Sequence, residues 1–230
     1  MSGIAIVTGG SRGIGRSIAE ALLREGWKVW ICSRSQGSVN AAAREMGNGV
    51  QGRPVDVRDQ GQVEGFVKEV LEAEGRIDCL VNNAGLGRFG PVDQLSGDQF
   101  REVIETNLNG CFYFIRAVSP AMKKQGSGWI VNIASLAAKN PFAGGSAYNA
   151  SKFGLIGLSE ASMLDLRPHG IRVASILPGS VATEFGGGHG NESWKLQPSD
   201  IASMVLHLLS YPENALPSLV EMRPSRPPGK

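Results

Sequence analysis

Three side chains have the types and spacing of a proton-transfer site. Tyr148 and Lys152 stand four residues apart in the stretch Tyr-Asn-Ala-Ser-Lys, and Ser135 precedes the tyrosine by thirteen residues. If the stretch after Tyr148 is helical, the phenol and the ammonium group share one face of the helix. A neighbouring cation favours phenolate, so the spacing predicts a Tyr148 pKa lowered from about 10 toward neutral pH. Tyr148 would then act as a general acid or base while the Ser135 hydroxyl holds a substrate oxygen.

The same three residues also fit a purely structural arrangement. In it, Tyr148 and Lys152 are an ordinary helix pair and Ser135 caps the end of a strand. A short pattern by itself does not separate the two interpretations, so the other motifs of the chain decide between them.

A glycine-rich turn lies near the start of the chain. Residues 3–7 form a short apolar run typical of a buried parallel strand, residues 8–15 read Thr-Gly-Gly-Ser-Arg-Gly-Ile-Gly, and residues 18–23 have helical periodicity. Such a turn lets the backbone approach a pyrophosphate, which the amides at the helix start attract. The glycine spacing does not fit the general dinucleotide pattern G-x-G-x-x-G but does fit T-G-x-x-x-G-x-G.

Further motifs follow predicted strands. Residues 82–85 read Asn-Asn-Ala-Gly, and residues 178–183 read Pro-Gly-Ser-Val-Ala-Thr. Residues 105–110, Glu-Thr-Asn-Leu-Asn-Gly, lie between these two motifs. With the glycine turn and the tyrosine, lysine and serine, they make the chain resemble the short-chain dehydrogenase/reductase family from Ile4 to about Thr183.

The resemblance implies a catalytic tetrad. In this family the tyrosine is the acid/base, the lysine lowers its pKa and binds the nicotinamide ribose, and the serine orients the carbonyl or alcohol. The matching residues here are Tyr148, Lys152 and Ser135. The fourth position is Asn107, whose implied role is to bend its helix and hold a water that relays protons to the lysine. Asn109 is a second asparagine in the same stretch, but the family pattern aligns on Asn107.

The resemblance also implies that a nicotinamide cofactor binds beside these residues and transfers hydride from its pro-S side. The implied cofactor contacts are Gly9, Ser11, Arg12, Gly13, Ile14, Gly15, Ser33, Arg34, Asp56, Val57, Asn83, Ala84, Gly85, Tyr148, Lys152, Pro178, Gly179, Val181 and Thr183. Asp56 matches the family residue that meets the adenine amino group. A carboxylate at that position also fits a cap for the helix that begins near Asp59.

The residues after the second predicted strand favour NADP(H), with NAD(H) as the alternative cofactor. An NAD site commonly carries an acidic residue here, whereas this chain has Ser33, Arg34 and Ser35. Arg34 offers a permanently charged fork suited to a 2′-phosphate, and Arg12 matches the basic position often found in NADP-preferring members of the family. The alternative is that both arginines are ordinary solvated surface residues.

Composition excludes several classes of function. With 230 residues, 42% hydrophobic and 19% charged, the chain is long enough for one domain with a sizeable core. A net charge of +2 with dispersed basic residues predicts neither nucleic acid nor membrane as a partner. A strand beginning by Gly3 and no long apolar run predict a cytoplasmic protein without a signal peptide or membrane span. Three scattered histidines and an odd number of cysteines predict no metal site and small buried thiols.

The order of apolar runs predicts an α/β fold. Strand-like runs at 3–7, 28–32, 50–55, 77–81, 129–134 and 171–176, with a seventh near Leu219–Met222, alternate with helical stretches. The expected architecture is a single doubly wound Rossmann-type domain over residues 1–230, with a mainly parallel seven-stranded sheet covered on both faces. Ligands of such sheets bind outside the carboxyl ends of the strands, where the motifs above converge.

Two further segments concern the substrate and the oligomeric state. Residues 184–198 occupy the place of the family's substrate loop, and the glycines around His189 predict a mobile segment that orders over ligand. Phe185 and Trp194 could line a pocket there or simply anchor the loop. The proline-rich residues 223–230 stand where many family members continue with a longer C-terminal segment. The expected oligomeric state is therefore either a homodimer or a homotetramer.

The function expected from these motifs is NADP(H)-dependent interconversion of a carbonyl and an alcohol. The leading prediction is reduction of a ketone or a 3-oxoacyl group, with a small-molecule substrate. The alternatives are an alcohol or sugar dehydrogenase that runs oxidatively and a binding protein that senses NADP without turnover. An intact set of Asn107, Ser135, Tyr148 and Lys152 argues against the binding protein.

Overall fold

The computed structural model describes residues 3–185 and 193–226. Within them, seven strands form one sheet in the order β3-β2-β1-β4-β5-β6-β7, with every neighbouring pair parallel. The strands are β1 (Ile4–Thr8), β2 (Lys28–Ser33), β3 (Val50–Pro54), β4 (Cys79–Asn82), β5 (Gly128–Ile133), β6 (Ile171–Pro178) and β7 (Leu219–Met222). The predicted doubly wound parallel sheet is therefore confirmed, including the seventh strand.

Helices cover both faces of this sheet. They are α1 (Gly13–Arg24), α2 (Gln36–Met46), α3 (Gln60–Glu74), α4 (Gly97–Ile104), α5 (Gly110–Gln125), α6 (Ser146–Leu166) and α7 (Pro198–Leu209). The side chains of β1 alternate between the two faces, as a strand requires: Ala5 and Val7 pack under α1 and α7, whereas Ile4 and Ile6 pack under α3 and α5. Burial on both faces explains why the inner strands are largely apolar runs in the sequence, whereas the edge strands β3 and β7 are only partly buried.

Short polar residues begin several of the helices. Ser35, Asp59 and Ser96 each accept a hydrogen bond from the backbone three residues later, at the starts of α2, α3 and α4. Asp59 is therefore the cap of α3. The alternative assignment of Asp56 as that cap is wrong, because the Asp56 carboxylate accepts hydrogen bonds from the backbone and guanidinium of Arg58 instead.

The helix after β4 does not run uniformly from α4 into α5. Residues Glu105–Asn109 form a single π-helical turn between them. A π turn carries one extra residue and shifts the helix face, and such turns occur most often at functional sites. The bend implied at Asn107 therefore takes the form of this turn.

The three cysteines are free and buried, as predicted. Cys32 and Cys79 lie in strands, and Cys111 lies in the first turn of α5. Burial raises the pKa of the Cys32 thiol to about 12 and that of Cys111 to about 11. Thiols with such pKa values are protonated at neutral pH and serve as apolar packing.

Candidate active site

The glycine turn between β1 and α1 leaves the start of the helix open to an anion. Arg12 is the N-cap residue, but its side chain makes no capping hydrogen bond, and the first turn of α1 contains no acidic residue. The first amides of α1 therefore have no side-chain acceptor. Gly15 must lack a side chain, because a Cβ there would lie 2.4 Å from the Gly9 carbonyl oxygen. Unpaired amides and close backbone approach fit a pyrophosphate group.

Thr8 and Asn83 join the glycine turn to the end of β4. The Thr8 hydroxyl accepts hydrogen bonds of 2.9 Å from the backbone amides of Asn83 and Ala84. The side-chain amide of Asn83 in turn donates hydrogen bonds to the carbonyl oxygens of Thr8 and Gly9, at 2.9 and 3.3 Å. Hydrogen bonds therefore join two motifs that are about 75 residues apart in the sequence. Thr8 was not among the predicted site residues, although it opens the T-G-x-x-x-G-x-G pattern.

Asn107 is a buried node between three segments of the chain. Its side chain exchanges two hydrogen bonds of 2.8 Å with the backbone of Leu86, just beyond the Asn-Asn-Ala-Gly motif. It also donates to the Ser151 hydroxyl at 3.0 Å, which places it one residue from Lys152 along α6. Gly85 approaches the Asn107 amide so closely that a Cβ would lie 3.3 Å from its oxygen. Asn109 is only half-buried, so the structure favours Asn107 over Asn109 for the predicted position.

Lys152 is a buried cation at the end of β5. Only 5% of the residue is exposed, and its Nζ donates a hydrogen bond of 2.9 Å to the carbonyl oxygen of Ile133, the last residue of β5. Burial lowers the pKa of Lys152 to about 8, because the charged form loses its hydration. The ammonium lies 5.8 Å from the centre of the Tyr148 ring.

Tyr148 and Ser135 meet at the mouth of the crevice, as predicted. Ser135 follows β5, and its hydroxyl also accepts a hydrogen bond from the Ala137 amide, which caps a short 3₁₀ turn. Ser135 is therefore both a cap and a neighbour of the tyrosine, so its two interpretations are compatible. The predicted pKa direction for Tyr148 is wrong, however: burial raises the Tyr148 pKa, and the hydrogen bond from Ser135 opposes that rise. The phenol therefore keeps its proton at neutral pH.

The arginines expected at the 2′-phosphate both lie on the surface, and the surroundings of Arg34 are called the outer end of the crevice below. Arg12 forms an exposed ion pair of 3.5 Å with Glu184, and Arg34 forms one of 3.8 Å with Glu102. Glu102 is also 2.9 Å from Arg88 and 4.0 Å from Arg58. Each predicted arginine therefore faces a carboxylate, and Arg34 shares its carboxylate with Arg58 and Arg88. Glu102 and its additional arginines were missed, because they join segments that are distant in sequence.

Asp56 and Val57 lie beside this outer end. The Asp56 carboxylate binds the Arg58 guanidinium through both oxygens, and that contact lowers the Asp56 pKa below its ordinary value. Val57 is buried beneath α5, where its side chain lies directly under Gly110. Ser33 stays at the end of β2, where its hydroxyl contacts Ser35 and Ser38.

The segment after β6 approaches the glycine turn from the opposite side. A Cβ on Gly13 would lie 3.6 Å from the methyl carbon of Thr183, and Gly179 donates a hydrogen bond of 2.8 Å to the Met222 carbonyl oxygen. Val181 is paired with Leu196 in an isolated bridge, which holds together the two ends of the predicted substrate loop. Residues 186–192 of that loop, with His189, lie outside the described residues, as do residues 227–230 of the proline-rich tail.

An aromatic cluster surrounds the Tyr148 ring. The ring centres of Phe89, Phe142 and Phe185 lie 5.7, 6.5 and 5.5 Å from that of Tyr148. Phe185 was predicted either to line a pocket or to anchor the substrate loop, whereas Phe89 was missed. The available signal was its position four residues after Gly85, in a stretch that leaves the Asn-Asn-Ala-Gly motif toward the surface.

No group of three or more histidine, cysteine or acidic side chains is placed to hold a metal ion in the part of the chain that the structure describes. Among the helices of residues 3–185 and 193–226, none is long and apolar enough to cross a membrane. A groove of about 500 Å³ between α3 and α5 shares none of the predicted site residues.

Comparison with known proteins agrees with this geometry. The short chain dehydrogenase family matches residues 3–193. A 3-oxoacyl-[acyl-carrier-protein] reductase of Salmonella typhimurium is 36% identical over 182 residues, covering 79% of this chain and 75% of that protein. An alcohol dehydrogenase from the archaeon Thermococcus sibiricus, complexed with 5-hydroxy-NADP, superposes with a TM-score of 0.92 at 32% identity, covering 100% of both chains. A metagenomic short-chain oxidoreductase in complex with NADP gives 0.86 at 36% identity, covering 97% of both.

The fold and the crevice define a dinucleotide-dependent oxidoreductase. The chain belongs to the short-chain dehydrogenase family, as the resemblance in its sequence predicted.

Proposed function

We propose that the chain reduces a ketone or 3-oxoacyl group with NADPH, and that Tyr148, Ser135, Lys152 and Asn107 form its catalytic tetrad. The observation that carries the proposal is that a protonated Tyr148 lies beside Ser135, with the buried Lys152 ammonium 5.8 Å from the centre of its ring. When bound, the nicotinamide supplies or accepts the hydride. The remaining chemistry is the movement of a proton, which belongs to the side chains of this chain.

In the direction of reduction, Tyr148 is the proton donor. Its raised pKa keeps the phenol protonated at neutral pH, which is the form a general acid needs. The Ser135 hydroxyl lies beside the phenol, so a substrate oxygen placed between them would meet both groups. As charge develops on that oxygen, two fixed donors stabilise it. The phenolate that remains lies near the ammonium of Lys152, the cation that can stabilise it.

Asn107 acts on this centre through position rather than contact with substrate. Its hydrogen bonds to Leu86 and Ser151 join the end of β4 to α6 one residue before Lys152. We assign it the role of holding that helix, and with it the lysine, at a fixed distance from the sheet. The π turn that carries Asn107 provides the geometry for both contacts.

The preference for NADP(H) rests on the charges of the outer crevice. Structural neighbours of this chain were solved with NADP or its 5-hydroxy derivative. Arg12 and Arg34 are exposed and held only by surface ion pairs, which are worth about 0–1 kcal/mol and exchange readily for a phosphate. No acidic residue follows β2 at the position where a ribose 2′-hydroxyl is usually bound. NAD(H) remains the alternative cofactor.

We also propose a homodimer, or a tetramer built from it, through the outer faces of α5 and α6. Phe112, Phe153 and Leu164 are large apolar side chains that are exposed on these helices. Among the small residues of α6, Ala150, Gly157 and Ala161 are exposed and would permit close approach, whereas Ser151 and Ser162 are buried within the chain itself. Light scattering after size exclusion would test this, with Leu164→Glu expected to yield a monomer.

The experiment that tests the function is a panel of ketones, α-diketones and 3-oxoacyl thioesters, followed by the loss of NADPH absorbance. We expect turnover of at least one class and a loss of at least about 100-fold in Tyr148→Phe, since general acid catalysis contributes about 10²–10⁴-fold. Tyr113→Phe, which removes a hydroxyl from α5, is the matched control and should retain activity.

Two results would count against the proposal. If the protein binds NADPH but turns over no carbonyl and oxidises no alcohol with NADP⁺, it is a binding protein rather than a reductase. If Tyr148→Phe retains the turnover of the control, the proton comes from another group.

A further inference from the structure

The aromatic cluster around Tyr148 has an unusual surface. Phe89, Phe142 and Phe185 are 45%, 47% and 45% exposed, although large apolar side chains are usually buried. Their rings contact each other as well as Tyr148, with Phe89 lying 5.9 Å from Phe142 and 6.4 Å from Phe185 between ring centres. The three phenylalanines, together called the aromatic wall below, therefore present open ring surface beside the proposed proton donor.

The aromatic wall is held in place by its own backbone. A Cβ on Gly87 would lie 2.4 Å from the Phe89 ring, and a Cβ on Gly145 would lie 2.6 Å from the Phe142 ring. Each ring thus occupies the space that a glycine leaves free. Asn149, one residue after Tyr148, donates a hydrogen bond of 3.1 Å to the Phe142 carbonyl oxygen.

The two segments that carry the wall are also joined to each other. Gly90, next to Phe89, donates a backbone hydrogen bond of 2.9 Å to the Gly144 carbonyl oxygen, near Phe142. The rings are therefore part of a built surface rather than loose side chains at a loop tip, and their positions are coupled to the start of α6.

The chemistry of the wall selects among carbonyl substrates. Aromatic rings bind other aromatic rings in edge-to-face or offset arrangements, beyond what burial of apolar area alone provides. The charged groups nearest to it in sequence already have partners: Arg88 pairs with Glu102, Glu184 with Arg12, and Lys139 with Glu221. A sugar would leave its hydroxyls against phenylalanine rings, which cannot accept them as hydrogen-bond partners.

We propose that Phe89, Phe142 and Phe185 form the substrate-recognition surface of this enzyme, and that it selects aryl ketones over saturated ketones of the same size. The inference rests on the proposed carbonyl reduction at Tyr148 and names its substrate class. Phe89 and Phe142 are the residues that determine the specificity, because both are positioned by glycine and backbone contacts.

The test compares acetophenone with cyclohexyl methyl ketone, which have the same carbon skeleton and differ in the aromaticity of the ring. The ratio of their kcat/KM values is measured in the unmodified protein, in Phe89→Leu and in Phe142→Leu. Leucine keeps an apolar side chain and removes the ring. Comparing each variant with the unmodified protein cancels the intrinsic difference in reactivity between the two ketones. We expect each substitution to reduce the ratio by about three- to tenfold.

Phe100→Leu is the matched control, because Phe100 is also exposed but lies on α4. Its ratio should stay within error of the unmodified protein. Gly87→Ala gives a second measurement, since the added methyl group must displace the Phe89 ring and should lower the ratio while leaving the Kd for NADPH unchanged. If either leucine variant fails to fold, Phe185→Leu replaces it.

The outcomes separate this inference from the function on which it rests. A ratio that is unchanged in the leucine variants, with both ketones reduced, overturns the aryl preference and leaves carbonyl reduction standing. A fall in the ratio that is equal in Phe100→Leu also overturns it, because the effect would not belong to the wall. Bound NADPH without turnover of any carbonyl overturns both proposals.

Discussion

Lys152 and Arg34 are two cations assigned to the same cofactor site, and their surroundings are opposite. Lys152 is 5% exposed, and its Nζ bonds to the Ile133 carbonyl oxygen. The Arg34 side chain is 56% exposed, and its nearest anionic partner, Glu102, is 3.8 Å away. One cation is held by packing and hydrogen bonds before any ligand arrives, whereas the other sits in an ion pair that water already weakens.

The difference separates a buried, hydrogen-bonded part of the site from a surface part whose ion pairs a ligand can replace. The centre around Lys152 includes the buried Asn107, which lies in the π turn and donates a hydrogen bond to the buried Ser151. The outer end holds Arg34, Arg58 and Arg88 around one carboxylate on the surface. Substitutions at the centre should therefore change turnover and stability together. Substitutions at the outer end should change selectivity and leave the fold intact.

The largest effect is expected for Lys152→Met. It removes the cation that stabilises the Tyr148 phenolate, so kcat should fall by at least about 100-fold. The matched control, Lys68→Met, removes an exposed ammonium from α3 and should retain full activity. Steady-state NADPH oxidation measures both variants, and equal activity in the two would show that the buried ammonium has no catalytic role.

Lys152→Met and Lys68→Met should also differ in how their free energy of unfolding depends on pH. The folded Lys152 pKa of about 8 lies below the ordinary value of 10.5, so the unfolded chain binds more protons between these limits. The contribution of Lys152 to the free energy of unfolding therefore rises as pH increases from about 8 to about 10.5, by roughly 1.4 kcal/mol per pH unit at most. Relative to Lys68→Met, chemical denaturation of Lys152→Met should lack this rise. Parallel curves would contradict the burial of a titrating amine.

A smaller effect is expected for Arg34→Asp. A carboxylate at this position repels a 2′-phosphate and can accept a hydrogen bond from a ribose hydroxyl, so the preference for NADPH over NADH should fall by about 10–100-fold. The melting temperature should stay close to that of Arg101→Asp, an exposed control on α4. Unchanged cofactor selectivity would remove the argument that Arg34 reads the phosphate.

The smallest effect is expected for Glu102→Gln. Loss of this carboxylate releases Arg34 and leaves a more positive outer crevice, so NADPH should bind about two- to fivefold more tightly while NADH binding stays the same. Asp98→Asn removes an exposed charge from the same helix and serves as the control. Fluorescence titration with each cofactor measures the effect. Tighter binding of NADH to the same degree would mean that the released charge does not act on the phosphate.

Most of the fold could be predicted from the sequence because its inner strands are buried on both faces. A parallel strand with two covered faces is a short apolar run, and such runs mark the five inner strands, whereas the edge strands β3 and β7 are only partly buried. The residues of the proposed tetrad could also be located, because Tyr148 and Lys152 are local in α6 and Asn107 has its own motif. Relative positions that depend on spacing along one helix can be predicted from a sequence.

The missed features depend on contacts between distant segments. Glu102 meets Arg34 across 68 positions of the chain, and Phe89 meets Phe142 across 53, so no local pattern announces either contact. The Tyr148 pKa was predicted in the wrong direction for a related reason. Spacing reveals a neighbouring cation, but it does not reveal how completely the folded chain removes water from the phenol.

The most direct test of the account follows the hydride itself. NADPH carrying deuterium at the pro-S position of C4 is incubated with the best ketone of the panel, and the product alcohol is analysed by mass spectrometry. The account predicts deuterium on the carbinol carbon, with at least about 100-fold less labelled alcohol formed by Tyr148→Phe. NADPH loss that places no deuterium in an alcohol would contradict it.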